Sequence, residues 1–125
     1  MTSKFRFLPP ALLAFAGIAS AAPAPQAQRE INALITGLGA SGCQFERNGS
    51  WYDAKKAQAH LQQKYDYLRK RDMADTAELF IERAASESSM SGKPYHVRCA
   101  GRATEPSAAW FKRRLQALRA APAAH

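Results

Sequence analysis

The chain has 125 residues, the length of one domain, and carries a formal charge of +8. Its two cysteines, Cys43 and Cys99, are too few for a structural zinc site, which takes four ligands. Past residue 21 no segment is apolar enough to span a bilayer, where a helix needs about 20 apolar residues.

The opening "MTSKFRFLPPALLAFAGIASA" reads as an export signal. Lys4 and Arg6 form a positive start, residues 12–18 a short apolar stretch, and Ala19-Ser20-Ala21 the small residues of a cleavage site. Cleavage is expected after Ala21. It removes two basic residues and no acidic one, so the mature chain stays basic. The expected location is the periplasm or the medium outside the cell. There a basic protein is drawn to anionic envelope polymers or lipid headgroups, and an oxidising compartment favours a Cys43–Cys99 disulfide. Closing a loop of that length stabilises by roughly 4 kcal/mol on the chain-entropy account.

Residues 22–28, "APAPQAQ", read as a mobile Pro/Ala leader, so the globular domain is expected over 29–120 with a tail at 121–125. Ile31, Leu34, Ile35 and Leu38 recur at helical spacing, and Gly39 and Gly42 stop that helix. A strand from Cys43 to Arg47 meets Asn48-Gly49, then a second strand through Trp51 and Tyr52. Asn-Gly between strand-like residues is a strong hairpin signal, because both turn positions need positive φ. Asp53 suits a helix N-cap. Ala54, Ala57, Leu61, Tyr65 and Leu68 then share one face of the longest helix.

Asp75 or Thr76 caps a third helix with the stripe Ala77, Phe80, Ile81, Ala84 and Ala85. A serine-rich loop covers 86–92. "PYHVRC" is a strand with Tyr95, Val97 and Cys99 on one face and His96 and Arg98 on the other. Residues 101–104 turn the chain, and Pro106 suits the first turn of a last helix. Trp110 or Phe111, with Leu115 and Leu118, forms its apolar side. Antiparallel pairing of the first and third strands puts Cys43 beside Cys99, Phe45 opposite Val97 and Arg47 opposite Tyr95. The expected fold is a single α+β domain: a three-stranded antiparallel sheet, ordered second, first, third, with about four helices on one face and one disulfide.

"FERNG" (45–49), "YDAKKAQAHLQQKY" (52–65), "TAELFIERAASESSMSGKPYHV" (76–97) and the closing helix with Trp110 together resemble the YfeK-like family of small exported bacterial proteins. The resemblance covers roughly residues 29–119. It implies a bacterial periplasmic protein with a domain of unknown function, and it brings no reaction with it.

Several motifs fail on inspection. "GLGASG" (37–42) matches a dinucleotide-binding spacing, but it follows a helix and opens a strand, the reverse of the order that aims amides at pyrophosphate. "SGKPY" (91–95) lacks the upstream glycine of a phosphate-binding loop and has Pro94 where Ser or Thr is required. No cofactor or metal is expected. The basic last helix has no aromatic-basic stacking motif for nucleic acid.

What remains is a polar set. Arg47 sits on the same face as Phe45, so it should point inward and need a partner, with Tyr95 across the strand and Glu82 or Glu87 as counter-ion. His60 flanks the apolar stripe of the long helix, one turn from Lys64. Ser86, Ser88 and Ser89 crowd beside Lys93; their hydroxyls either cap the helix end or cradle an anion or sugar. The leading expectation is a non-enzymatic envelope protein that binds an anionic component or a periplasmic partner through Arg47, His60, Ser86, Ser88, Ser89, Lys93 and Tyr95. The alternative is a small hydrolase or transferase with His60 as base and a serine of 86–91 as nucleophile, though no third residue orients the histidine.

Overall fold

The computed structural model describes residues 24–121. The expected signal peptide, its cleavage site and the tail beyond 121 lie outside them. Helix α1, Ala24–Gly39, starts inside the stretch expected to be a mobile leader. Ala27 is buried and extends the Ile31, Leu34, Ile35, Leu38 stripe by one turn. Alanine favours helix, and Pro25 lies in the first turn, where its missing N–H leaves no bond unmade.

Strands β1, Gln44–Arg47, and β2, Ser50–Tyr52, form the expected hairpin. Asn48 and Gly49 take φ of 50° and 84° between them. Helix α2, Ala54–Arg69, is capped by Asp53, whose carboxylate accepts from the Lys56 amide at 2.8 Å. All five apolar-face residues expected of α2 are buried. Helix α3, Ala77–Ala84, is capped by Thr76, not Asp75. Strand β3, His96–Arg98, follows.

The sheet has four strands, not three, in the antiparallel order β2-β1-β3-β4. Strand β4, Glu105–Pro106, pairs with His96 and Val97. Two residues ending in proline carry no alternating pattern, and Pro106 ends the strand as the N-cap of α4, Ser107–Ala120, outside the helix's first turn. Phe45 faces Val97 as expected, and Cys43 is bonded to Cys99 with Cα atoms 4.3 Å apart. The same register, carried one step past the Glu46–His96 pair, sets Arg47 opposite Tyr95.

The helices cover the face that carries Phe45 and Val97, both buried. Tyr65, Phe80, Phe111 and Trp110 meet edge to face through the core, with ring centroids 4.9–6.4 Å apart. On the opposite, open face the Arg98 guanidinium lies 3.9 Å over Trp51, and His96 contacts Glu46 at 2.9 Å. Trp110 and Phe111 are both buried, but Leu118 is 38% exposed. The last turn of α4 is held by charge instead. Arg119 donates to Glu30 of α1 and Glu78 of α3 at 2.7–3.2 Å.

These two anchors differ in kind. Phe80→Ala empties a fully buried site between two rings and is expected to cost roughly 3–5 kcal/mol. Arg119→Ala breaks part-exposed ion pairs and should cost about 1 kcal/mol. Urea unfolding of both variants measures the difference, and equal losses would contradict this division of the core.

Candidate functional site

Helix α2 and the β1–β3 pair bring together side chains that are far apart in sequence. His60 and Lys64 stand one turn apart on α2, beside the buried Leu61 and Tyr65. Both reach Tyr95, which enters the sheet just before β3 and is 2% exposed. Lys64 Nζ donates to the Tyr95 hydroxyl at 3.0 Å, and His60 Nε2 lies 3.3 Å from the same oxygen. An ammonium can only donate, so the phenol oxygen accepts from Lys64 and its own proton can go to an unprotonated His60 Nε2. Phe45 packs on the Tyr95 ring, with centroids 5.0 Å apart.

Arg47 closes the group from the end of β1. It is half-buried, and its guanidinium lies 5.2 Å from the centre of the Tyr52 ring. The expected counter-ion is absent. Among the described residues no carboxylate lies within ion-pair distance of Arg47. Glu82 lines a different groove, between α3 and α4, and Glu87 offers Lys64 its backbone carbonyl at 3.4 Å. Arg47 is not fully buried, so water and the Tyr52 ring offset its charge without a carboxylate.

The electrostatics follow from this crowding. Burial, then the fields of Arg47 and Lys64, push His60 down to about 4. Lys64 is lowered by burial and by Arg47, with the Glu87 carboxylate opposing at longer range. Burial raises Tyr95. His60 is therefore neutral at pH 7, which leaves Nε2 able to accept the phenol proton. A hollow of about 310 Å³ opens beside these groups, with Arg47, Tyr52, Lys56, His60 and Gln63 in its wall.

The serines are arranged differently from the cradle outlined above. Ser86 donates to the Ile81 carbonyl at 2.7 Å, closing the end of α3, and its side chain borders the α3–α4 groove. Ser88 is buried and accepts from the amides of Met90 and Ser91 and from the Asn48 amide. Ser91 donates to Asn48 Oδ1 at 2.6 Å. These bonds latch the serine turn to the hairpin tip and lead the chain into Tyr95, whose amide donates to the Ser86 carbonyl. Lys93 is exposed and borders neither this hollow nor its neighbour, and Ser89 borders the neighbouring hollow beyond His60.

Of the residues singled out from sequence, Arg47, His60 and Tyr95 converge. Lys64, Lys56 and Tyr52 join them. The spacing of Lys56, His60 and Lys64 at four-residue intervals places them on one flank of α2, a signal present in the sequence. Among the described residues no serine hydroxyl is hydrogen-bonded to His60, and no cluster of three or more His, Cys, Asp or Glu is placed to hold a metal.

Residues 25–119 match a family of unknown function, DUF5329. The chain belongs to this family. It is also 41% identical over 69 residues to the uncharacterized protein YfeK of Salmonella typhimurium strain LT2. That match spans 54% of this chain and 56% of the relative, about half the length of each. It bears out the YfeK-like resemblance. No solved structure matches the chain.

The neutral His60 makes stability depend on pH with a definite sign. Its folded pKa lies below its unfolded value near 6.5, so between pH 6.5 and about 4 the unfolded chain binds a proton that the folded protein does not. Stability from this group is full above 6.5 and is lost as pH falls through that window. Glu30, Glu78 and Glu105, lowered by their arginine partners, add losses only below about 4.5. The urea midpoint should therefore drop between pH 7 and pH 5, and His60→Gln should shrink the drop. An equal drop in both proteins would refute the assignment.

Proposed function

We propose that this is a non-enzymatic protein of the bacterial envelope that binds an anionic ligand through Arg47, His60 and Lys64, the last two positioned by Tyr95. The observation that carries the reading is that Lys64 and His60 meet on one buried phenol within the field of Arg47, with no carboxylate among the described residues in ion-pair contact with either cation. Half-buried like charges repel and are incompletely solvated in the free protein. An anion relieves both penalties and accepts bidentate hydrogen bonds from a planar guanidinium.

Export after cleavage at Ala21 is supported by the sequence pattern of residues 1–21. The Cys43–Cys99 disulfide is compatible with an oxidising compartment. No helix among the described residues is long and apolar enough to cross a membrane. The hydrolase reading draws less support. Ser86, Ser88 and Ser91 hold the turn together, and the partner of His60 is a phenol.

Sulfate tests the site, because its charge does not change over the relevant pH range. Calorimetry should detect sulfate binding to the wild type, and Arg47→Ala should weaken it roughly tenfold, the loss of one charge-assisted bond. The affinity should rise from pH 7 to pH 5. Bound anion favours protonated His60, so proton uptake and binding reinforce each other. Undetectable binding, or binding indifferent to Arg47, would remove the proposed site.

A further inference from the structure

The hollow beside Arg47 has a neighbour. A second one, of about 360 Å³, begins on the far side of His60 and Gln63 and runs to Tyr67 and Arg83. His60 and Gln63 border both, so the two form a single groove along the exposed flank of α2. Its walls carry Arg47, Lys56, Lys64 and Arg83, and no aspartate or glutamate.

The positive charge lacks direct ion pairing over the whole length, with only the more distant Glu87 carboxylate acting on Lys64. None of these four cations forms an ion pair among the described residues. Lys64 bonds to a phenol and a carbonyl, and Arg83 to the Met73 carbonyl at 2.8 Å. The ion-paired acids have other partners: Glu30 and Glu78 pair with Arg119, Glu105 with Arg113, Glu46 with His96 and Asp66 with Arg69. Lys56 and Lys64 lie eight residues apart on α2, about 12 Å along its axis at 1.5 Å per residue. One tetrahedral anion cannot touch both ends. The groove also has an aromatic ring near each end. Tyr52 borders the first hollow, and Tyr67, 56% exposed, borders the second. Rings with an apolar face and a polar tip suit the faces of sugars.

Resting on the anion-binding reading above, we infer that the ligand is an anionic oligosaccharide laid along α2 across both hollows. Arg47, His60 and Lys64 hold one anionic group as in that reading, Lys56 and Arg83 attract further ones on either side, and Tyr52 and Tyr67 contact the sugar rings near the two ends. His60 and Gln63 form the saddle in the middle.

A sulfated hexasaccharide, a sulfated disaccharide, free sulfate and neutral dextran are the probes. The hexasaccharide should bind at least tenfold more tightly than sulfate, and the disaccharide should fall between them. Dextran should bind at least tenfold more weakly than the hexasaccharide. Arg83→Gln should weaken hexasaccharide binding several-fold while leaving sulfate affinity unchanged, which also shows that the variant is folded. Arg47→Ala should weaken both. If the hexasaccharide gains nothing over sulfate, or ignores Arg83→Gln, the extended groove is wrong although the Arg47 site stands. If dextran matches the hexasaccharide, or vesicles of anionic lipid compete it off at equal charge, the glycan assignment is wrong. If neither sulfate nor hexasaccharide responds to Arg47→Ala, the anion-binding reading itself fails.

Discussion

The register between β1 and β3 is the constraint on which the rest depends. One end of it is covalent, at Cys43–Cys99. The other is set by the left-handed pair Asn48-Gly49, which reverses the chain straight after Arg47. Between these points Phe45 and Val97 turn inward together. A slip of one residue would put Phe45 and Val97 on opposite faces, turning one of them outward and a polar neighbour inward. The same step that buries Phe45 brings Arg47 level with Tyr95, within reach of α2. The hairpin tip then holds the serine turn through Asn48, and that turn delivers Tyr95. Scaffold and candidate site are thus one set of contacts.

Charge is partitioned across this scaffold. At the end formed by α1, α3 and α4 the acids and arginines neutralise one another, with Arg119 shared by two carboxylates. On α2 Asp66 pairs with Arg69, but Lys56 and Lys64, and Arg47 beside them, have no ion-pair partner among the described residues. There the protein lowers its own repulsion by keeping His60 neutral and by lending Lys64 a phenol oxygen. This tolerates positive charge without cancelling it. A structural role alone would be served by a carboxylate among the positions facing Arg47, and none is in contact with it.

Much of the fold was legible in the residues. The Asn-Gly turn, the Asp53 cap and the α2 stripe each follow from one local rule, and the antiparallel register followed from placing two cysteines side by side. What escaped were features decided by tertiary contact. Strand β4 is too short and too proline-bound to show a period. The turn of α1 around Ala27 looked like a leader because alanine and proline carry no stripe, and its burial depends on neighbouring helices. Leu118 had the spacing of a core residue, yet the final turn of α4 is held by Arg119. At the site, Arg47, His60 and Tyr95 were visible as candidates, and Lys64 as a neighbour of His60. The meeting of Lys64 and His60 at one hydroxyl was not visible, because it needs the distance between a helix and a strand. The serines carried the opposite lesson. A run of hydroxyls beside a lysine suggested a cradle, and the structure uses most of them to tie a turn.

His60 is held neutral by burial and by two cations that have no ion-pair partner among the described residues and that an anion can screen. Its ring signals, followed by NMR against pH with and without saturating sulfate, test that directly. Without sulfate the ring should stay neutral down to about pH 4, and with sulfate its midpoint should move upward toward the ordinary histidine value near 6.5. A midpoint already near 6.5, unmoved by sulfate, would contradict both the geometry of the cluster and the function proposed for it.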